Sequence, residues 1–213
     1  MPSPESGSAD TKRRILDAAL ETLKQEGISG TSARAIARNG GFNQALIFYH
    51  FGSINDLLLA AAADASADRV ARYRARLEDV TSLHDLVQMA ADLHAQDVAE
   101  GNITVLTQML AGAASDPVIA LGLRESFEPW IGVVEEALHR VVDGTPFADM
   151  LSIDDLAFVI TSMFLGIELI THLDADERRD RTLFQTLGAL GGMVEGVMAL
   201  GTAFPGASSD PDA

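Results

Sequence analysis

Two glycine breaks stand so close together that a short helix is the main regular element that fits between them. Gly40-Gly41 and Gly52 bound the stretch FNQALIFYHF, and glycine is the residue at which helices most readily stop. Inside it Phe48, Tyr49, His50 and Phe51 follow one another. Successive residues on a helix point in different directions, so one buried face cannot hold all four rings. By themselves they read as an aromatic core cluster, yet some of them must work outside the core.

The rest of the chain sets that short helix among others. Ile15, Leu16, Ala19, Leu20 and Leu23 recur at helical spacing and predict a helix over 10–26, stopped by Gly27. Ser32 is placed to cap a second helix through Arg38, with Ala33, Ile36 and Ala37 inward. The third helix fits 43–50, capped by Asn43. Ser53 caps a fourth, with Asp56 in its first turn, running to about Asp79. Helical patterns continue through SLHDLVQMAADLHAQDVA and NITVLTQMLAGAA, and Asp116-Pro117 starts a further helix. Pro129 predicts a kink or break near Glu128 before that helix resumes to Val142. After the loop DGTPFADML, helices are predicted over 153–173 and 179–200, followed by a polar tail expected to be disordered. No strand signal competes, so the expected fold is all-α with about nine helices.

A chain of 213 residues with 47% hydrophobic and 22% charged residues is long enough for one large core, or for a small module joined to a larger domain. The absence of cysteine excludes disulfides and thiolate metal sites, and the start, MPSPESGSADTKRR, lacks an apolar signal core, so a cytoplasmic protein is expected. The net charge of -16 is unevenly placed. Residues 1–55 hold six Lys/Arg against five Asp/Glu, and the remainder nine against twenty-six. Because fields between exposed charges are screened beyond about 10 Å at ordinary salt, a near-neutral module can meet a polyanion despite the acidic whole.

One long helix, two short helices separated by a Gly-Gly turn and a long connecting helix are carried by ILDAALETLKQEGISGTSARAIARNGGFNQALIFYHFGSINDLL. From about Thr11 to Leu59 this resembles the N-terminal DNA-binding domain of the TetR family of transcriptional regulators. The remaining residues resemble the family only in length and helical pattern. The resemblance implies that Asn43, Gln44, Ala45 and Leu46 face the major groove, with Gln44 suited to adenine and Ala45 or Leu46 to a thymine methyl. It implies that Tyr49 and His50 bond phosphates while Ile47 and Phe51 turn back to the core, and that Ser32 and Arg34 add a backbone amide contact and a charge. Two positions depart from the family pattern: Phe48 stands where a tyrosine is usual, and Ile54 where a lysine is usual. Both departures delete phosphate contacts, for which Lys12, Arg13 and Arg14 could partly compensate.

Other motifs have plainer readings. Arg69, Arg72, Tyr73 and Arg76 at helical spacing read as a solvated face. HLDADE, residues 172–177, alternates possible ligands but lacks the glycine and distal glutamate of a calcium loop, so no metal is expected. His84, His94 and His139 show no i, i+4 pairing, no catalytic or phosphate-binding fingerprint is present, and neither an enzyme nor a cofactor is expected. The run 156–173 is apolar nearly all round but is interrupted by Thr161, Glu168 and His172 and flanked by aspartates. It is therefore expected to pack on its own domain and on a partner chain, not in a membrane.

Gly188, Gly192 and Gly196 lie four apart in the last helix, where each costs about 1 kcal/mol relative to alanine unless close packing offsets it. In the TetR family the last two helices commonly pair across a two-fold axis, so the resemblance and this stripe point to one homodimer interface.

The expected organisation is a DNA-binding domain over 1–55, of which 1–9 form a flexible arm, a ligand-binding and dimerisation domain over 56–204, and a disordered tail over 205–213. The resemblance implies a repressor that leaves a palindromic operator on double-stranded DNA when a small, mainly apolar effector binds. Met89, Leu93, Met109, Phe127, Trp130, Met163 and Phe164 are candidates to line the effector cavity, with His94, Thr161 and Glu168 as polar groups. Each also reads as simple core. Glu168, midway along an apolar helix, must be paired, protonated or reserved for a ligand. The competing reading is a helical small-molecule-binding or enzymatic protein that keeps its helix-turn-helix only as scaffold.

Overall fold

The computed structural model describes residues 4–143, 145, 152–173 and 177–203. The expected loop between Asp143 and Leu151, the acidic centre of HLDADE and the expected tail lie largely or wholly outside them. Among the described residues there are nine α-helices and no strand: α1 (Pro4–Gly30), α2 (Ala33–Gly40), α3 (Ala45–Phe51), α4 (Ile54–Arg76), α5 (Leu83–Glu100), α6 (Asn102–Ala113), α7 (Pro117–Val142), α8 (Ile153–Leu173) and α9 (Glu177–Ala203). A single 3-10 turn, Leu77–Asp79, extends α4 to the residue at which its pattern was expected to end.

Three boundaries differ from expectation. Helix α1 begins at Pro4, through the stretch expected as a flexible arm, with proline at the first helical position, where its missing N–H costs nothing. The expected stop at Gly27 is a local break, φ 68° and ψ 177°, after which one more helical turn follows. Helix α7 runs through Pro129 as one helix. Pro129 and Glu125, whose carbonyl the proline deprives of a donor, are both exposed, so water can serve that acceptor.

Two compact units divide the chain. The first comprises Met1–Arg72 and Asp97–Trp130, and so holds the expected DNA-binding domain together with most of α4, α6 and the first half of α7. Its core joins Ile15, Ala19 and Leu23 of α1, Ile36 of α2, Ile47 of α3, Leu57 and Leu58 of α4, Met109 of α6 and Leu123 of α7. Fully burying each of these Ile, Leu and Met side chains contributes about 1.5–3 kcal/mol. Polar links fix the register. Gln108 of α6 accepts from the Ile28 N–H at 2.8 Å, and Lys24 donates to the Glu100 carbonyl at 2.7 Å. Buried Thr22 donates to the Ala18 carbonyl at 2.7 Å and accepts from Asn39 of α2 at 3.2 Å. Towards the far end of α4, Arg69 pairs with Asp97 and lies 5.0 Å over the Trp130 ring, whose Nε1 donates to Ser66 at 2.8 Å.

The second unit comprises Tyr73–Gln96 and Ile131–Ala213. Here the carboxylate of Glu195 on α9 accepts from the Leu83 N–H at 2.5 Å and so caps the first turn of α5. Gly191 faces the same turn, with its Cβ position at an ordinary contact distance of 3.5 Å from Leu83 Cβ. Asp85 accepts from the backbone and side chain of Thr81, and those bonds, with Ser82, hold its carboxyl below the usual aspartate range. The arginine stripe of α4 is not a uniform solvated face. Tyr73 is buried, Arg69 is paired in the first unit, and in the second Arg76 pairs with Asp92 at 2.6 Å.

On α8, Val159, Met163, Ile170 and Leu173 are exposed, and with Gly166 they follow the four-three spacing of a helix-packing seam. Leu190, Met193 and Val194 of α9 are exposed as well. Among the described residues no single helix is long and apolar enough to cross a membrane.

Candidate nucleic-acid interface

The short helix between the glycines is held at both ends by its own sequence. Gly41 adopts φ 66° and closes α2, with its N–H and that of Phe42 both directed to the Ala37 carbonyl. At Gly40 a Cβ would lie 2.8 Å from Ala18 Cβ, so the close approach of this turn to α1 requires glycine. Asn43 Oδ1 accepts from the Ala45 N–H at 2.9 Å and starts α3, as its residue type predicts. The Gln44 side chain takes no part in capping. At the other end Gly52, φ 80°, directs its N–H to the Phe48 carbonyl, and Ser53 caps α4 by accepting from the Asp56 N–H at 3.0 Å.

The four rings are thereby separated. Ile47 is 0% exposed and anchors α3, while Leu46, Phe51 and Ile54 pack partly against the same core. Asn43, Gln44 and Ala45 are exposed, Phe48 is 49% exposed and Tyr49 82% exposed. His50 is half-buried, with its ring edge-on to Tyr49 at 4.8 Å. Leu46 therefore faces outward less than expected, because it shares the inward side with Ile47. Ser32 Oγ caps α2 by accepting from the Ala35 N–H at 3.2 Å, and Arg34 beside it is exposed.

The two family departures have different consequences. Ile54 adds its side chain to the core, whereas Phe48 leaves a ring on the outer side. Of the three cations expected to compensate, Arg13 is held by Asp17 at 3.2 Å and Asp64 at 2.9 Å, and Arg14 donates to the Gly40 carbonyl at 3.2 Å. Lys12 is exposed.

The sequence pattern of bacterial regulatory proteins of the tetR family matches residues 15–61, the span from α1 into α4. Over 140 residues the chain is 30% identical to the HTH-type transcriptional regulator BetI of Escherichia coli, covering 64% of this chain and 67% of BetI. The chain belongs to the TetR family. It is a TetR-family transcriptional regulator, all-α as the family is. Among solved structures, FadR from Bacillus subtilis in complex with stearoyl-CoA matches with a TM-score of 0.69 at 13% identity, covering 84% of this chain and 96% of that one. A transcriptional regulator from Saccharomonospora viridis in complex with choline matches with a TM-score of 0.68 at 22% identity, covering 85% and 95%. At these identities the likeness is one of fold.

In this TetR-family regulator the ten residues considered for an effector cavity divide between the two units. Met109 is buried in the core of the first unit, Phe127 packs against that core, and Trp130 is occupied by Ser66 and Arg69. The other seven belong to the second unit. There the structure brings two of them together: His94 Nδ1 lies 2.9 Å from Glu168 Oε1, with the two residues 4% and 3% exposed. Of the three fates open to Glu168, the structure shows the paired one. Phe184 of α9 lies against the imidazole at 5.4 Å between ring centroids. Sequence reasoning missed it, because nothing local links it to His94.

Thr161, two turns before Glu168 on α8, has an enclosed Oγ1 without a hydrogen-bond partner among the described residues. Leu93 and Phe164 are half-buried, and Met163 belongs to the exposed seam. Met89 lines a shallow cleft of about 220 Å³ with Arg76, Asp79 and Gln88.

The glycine stripe is also divided. Gly188 faces its own chain, its Cβ position 3.8 Å from His84 and Val87, whereas Gly192 and Gly196 face open space. Among the described residues no group of three or more His, Asp or Glu is placed to hold a metal ion.

Proposed function

We propose that this regulator is a homodimeric repressor that binds a palindromic operator through α3 and leaves it when a small, mainly apolar effector binds the second unit. The observation that carries the DNA-binding mode is the outer side of α3. Gln44, Ala45 and Tyr49 stand exposed on a helix anchored by fully buried Ile47, and Gln44 is not used in capping. Gln44 is suited to bidentate contact with adenine, Ala45 to a thymine methyl, and Tyr49 and His50 to phosphates; Asn43, Ser32 and Arg34 flank them. Selection from randomised duplexes tests this reading. The expected product is a two-fold symmetric site whose half-sites lie one helical turn, or a multiple of it, apart. Enrichment of an asymmetric site, or none at all, would overturn it.

The exposed seam on α8 and the open glycines of α9 support the dimer. Gly192→Leu adds a side chain where its own chain leaves space, and replaces glycine in a helix interior by a better helix former. In an isolated chain it should be neutral or stabilising by about 1 kcal/mol. In a dimer closed across α8 and α9 it should wedge the helices apart. Sedimentation is expected to show dimeric wild type and a monomeric or strongly dissociating variant; a wild-type monomer at micromolar concentration would sink the architecture.

For the effector, the His94–Glu168 pair and the enclosed hydroxyl of Thr161 support a ligand with a hydrogen-bonding group on an apolar body. The two proteins of like fold hold small molecules as different as stearoyl-CoA and choline, which supports a small-molecule site on this architecture without fixing its chemistry. Release from DNA would follow if the bound state favours an arrangement in which α4, packed beneath α3, shifts the two reading helices out of register with successive major grooves.

A further inference from the structure

Phe48 is the exposed ring to which the expected contacts give no role. On a seven-residue helix the inward side is already filled by Ile47 and, in part, by Leu46 and Phe51. Phe48 is 49% exposed, four residues after Gln44 and three after Ala45, so the three share one outer stripe of α3. Its place in the last turn is fixed by the Gly52 N–H on its carbonyl at 3.0 Å.

Phenylalanine has no hydroxyl to offer a phosphate and no donor or acceptor for a base edge. What it brings is apolar surface, and the apolar group that the major groove displays is the C5-methyl of thymine. We propose that Phe48 is a specificity-determining residue that reads a thymine through its C5-methyl, within about two base pairs of the base bonded by Gln44. The spacing follows because four residues of helix rise about 6 Å and base pairs stack about 3.4 Å apart. The proposal rests on the assignment of α3 to the major groove. It turns the tyrosine-to-phenylalanine departure from a lost phosphate contact into a gained base contact, so Phe48 adds sequence preference where a tyrosine would add general affinity.

The test uses the full-length protein and the operator it selects. Each thymine of one half-site is replaced in turn by deoxyuridine, which keeps every hydrogen-bonding group of the groove edge and lacks only the methyl. At one position near the Gln44 contact, the replacement is expected to weaken wild-type binding about fourfold, the size expected for one buried methyl. The same replacement should have no effect on Phe48→Ala or on Phe48→Gln, the second variant guarding against a folding defect in the first. Gln44→Ala should retain the deoxyuridine penalty. A wild type that binds its operator with no deoxyuridine effect overturns the proposal and leaves the DNA-binding reading intact, as does a result in which every position with a penalty keeps it at equal size in both Phe48 variants, since a methyl read by Ala45 would give that pattern. Failure of the wild type to bind any duplex overturns both.

Discussion

Glu168→Ala is expected to lower the free energy of unfolding by about 3 kcal/mol, between the loss for stranding a neutral buried donor and that for breaking a buried ion pair. The substitution removes the oxygen 2.9 Å from His94 Nδ1 and opens a void among side chains that exclude water. Glu168→Gln should lose less, because its amide oxygen can still accept from Nδ1–H. The contrasting variant is Thr161→Val. It exchanges a hydroxyl enclosed without a partner among the described residues for a methyl of the same shape, so stability should be kept or improved. If that hydroxyl serves the effector, Thr161→Val will hold its melting temperature while losing effector-induced release of DNA. Denaturant unfolding and operator release, measured with a compound that raises the wild-type melting temperature, report both quantities. A Glu168→Ala protein within about 0.5 kcal/mol of wild type would show that the pair contributes nothing to the folded interior.

Gln44→Ala and Tyr49→Phe are expected to weaken DNA binding in different ways. Gln44→Ala should cost about 1–3 kcal/mol at one operator position, roughly five- to 150-fold, and relax the preference there. Tyr49 is 82% exposed, so removing its hydroxyl should leave the fold unchanged. Loss of one hydrogen bond to a phosphate should weaken all duplexes by a similar factor, about tenfold. Selection from randomised duplexes with each variant separates the two patterns. Unchanged affinity and preference in Gln44→Ala would mean that another element reads the operator.

The N-terminal three-helix unit was legible because its determinants are local. Ser32, Asn43 and Ser53 take the capping roles that their residue types predict, Gly41 adopts the left-handed backbone that ends a helix, and Gly52 closes α3 at a positive φ of 80°. Ile47 is buried and Tyr49 exposed as the pattern implied. Leu46, expected to face outward, instead packs partly against the core. Which of two neighbouring residues on a short helix of about two turns faces inward depends on how α3 seats against α1 and α4, and not on α3 alone.

By itself, then, the sequence determined the all-helical architecture, the glycine-bounded short helix α3 and the separation of acid from the N-terminal end, since capping, helical periodicity and charge act over a few residues or along the chain. Only the tertiary structure decided that Glu168 meets His94, 74 residues away, and that Glu195 caps α5 from 112 residues away. It also turned Gly188 towards its own chain while leaving Gly192 open, and divided the candidate cavity residues between two units. The physical reason is the same in each case. A helix presents several faces that are chemically alike, and the face that is buried, together with the partner it meets, is selected by the packing of all the helices at once.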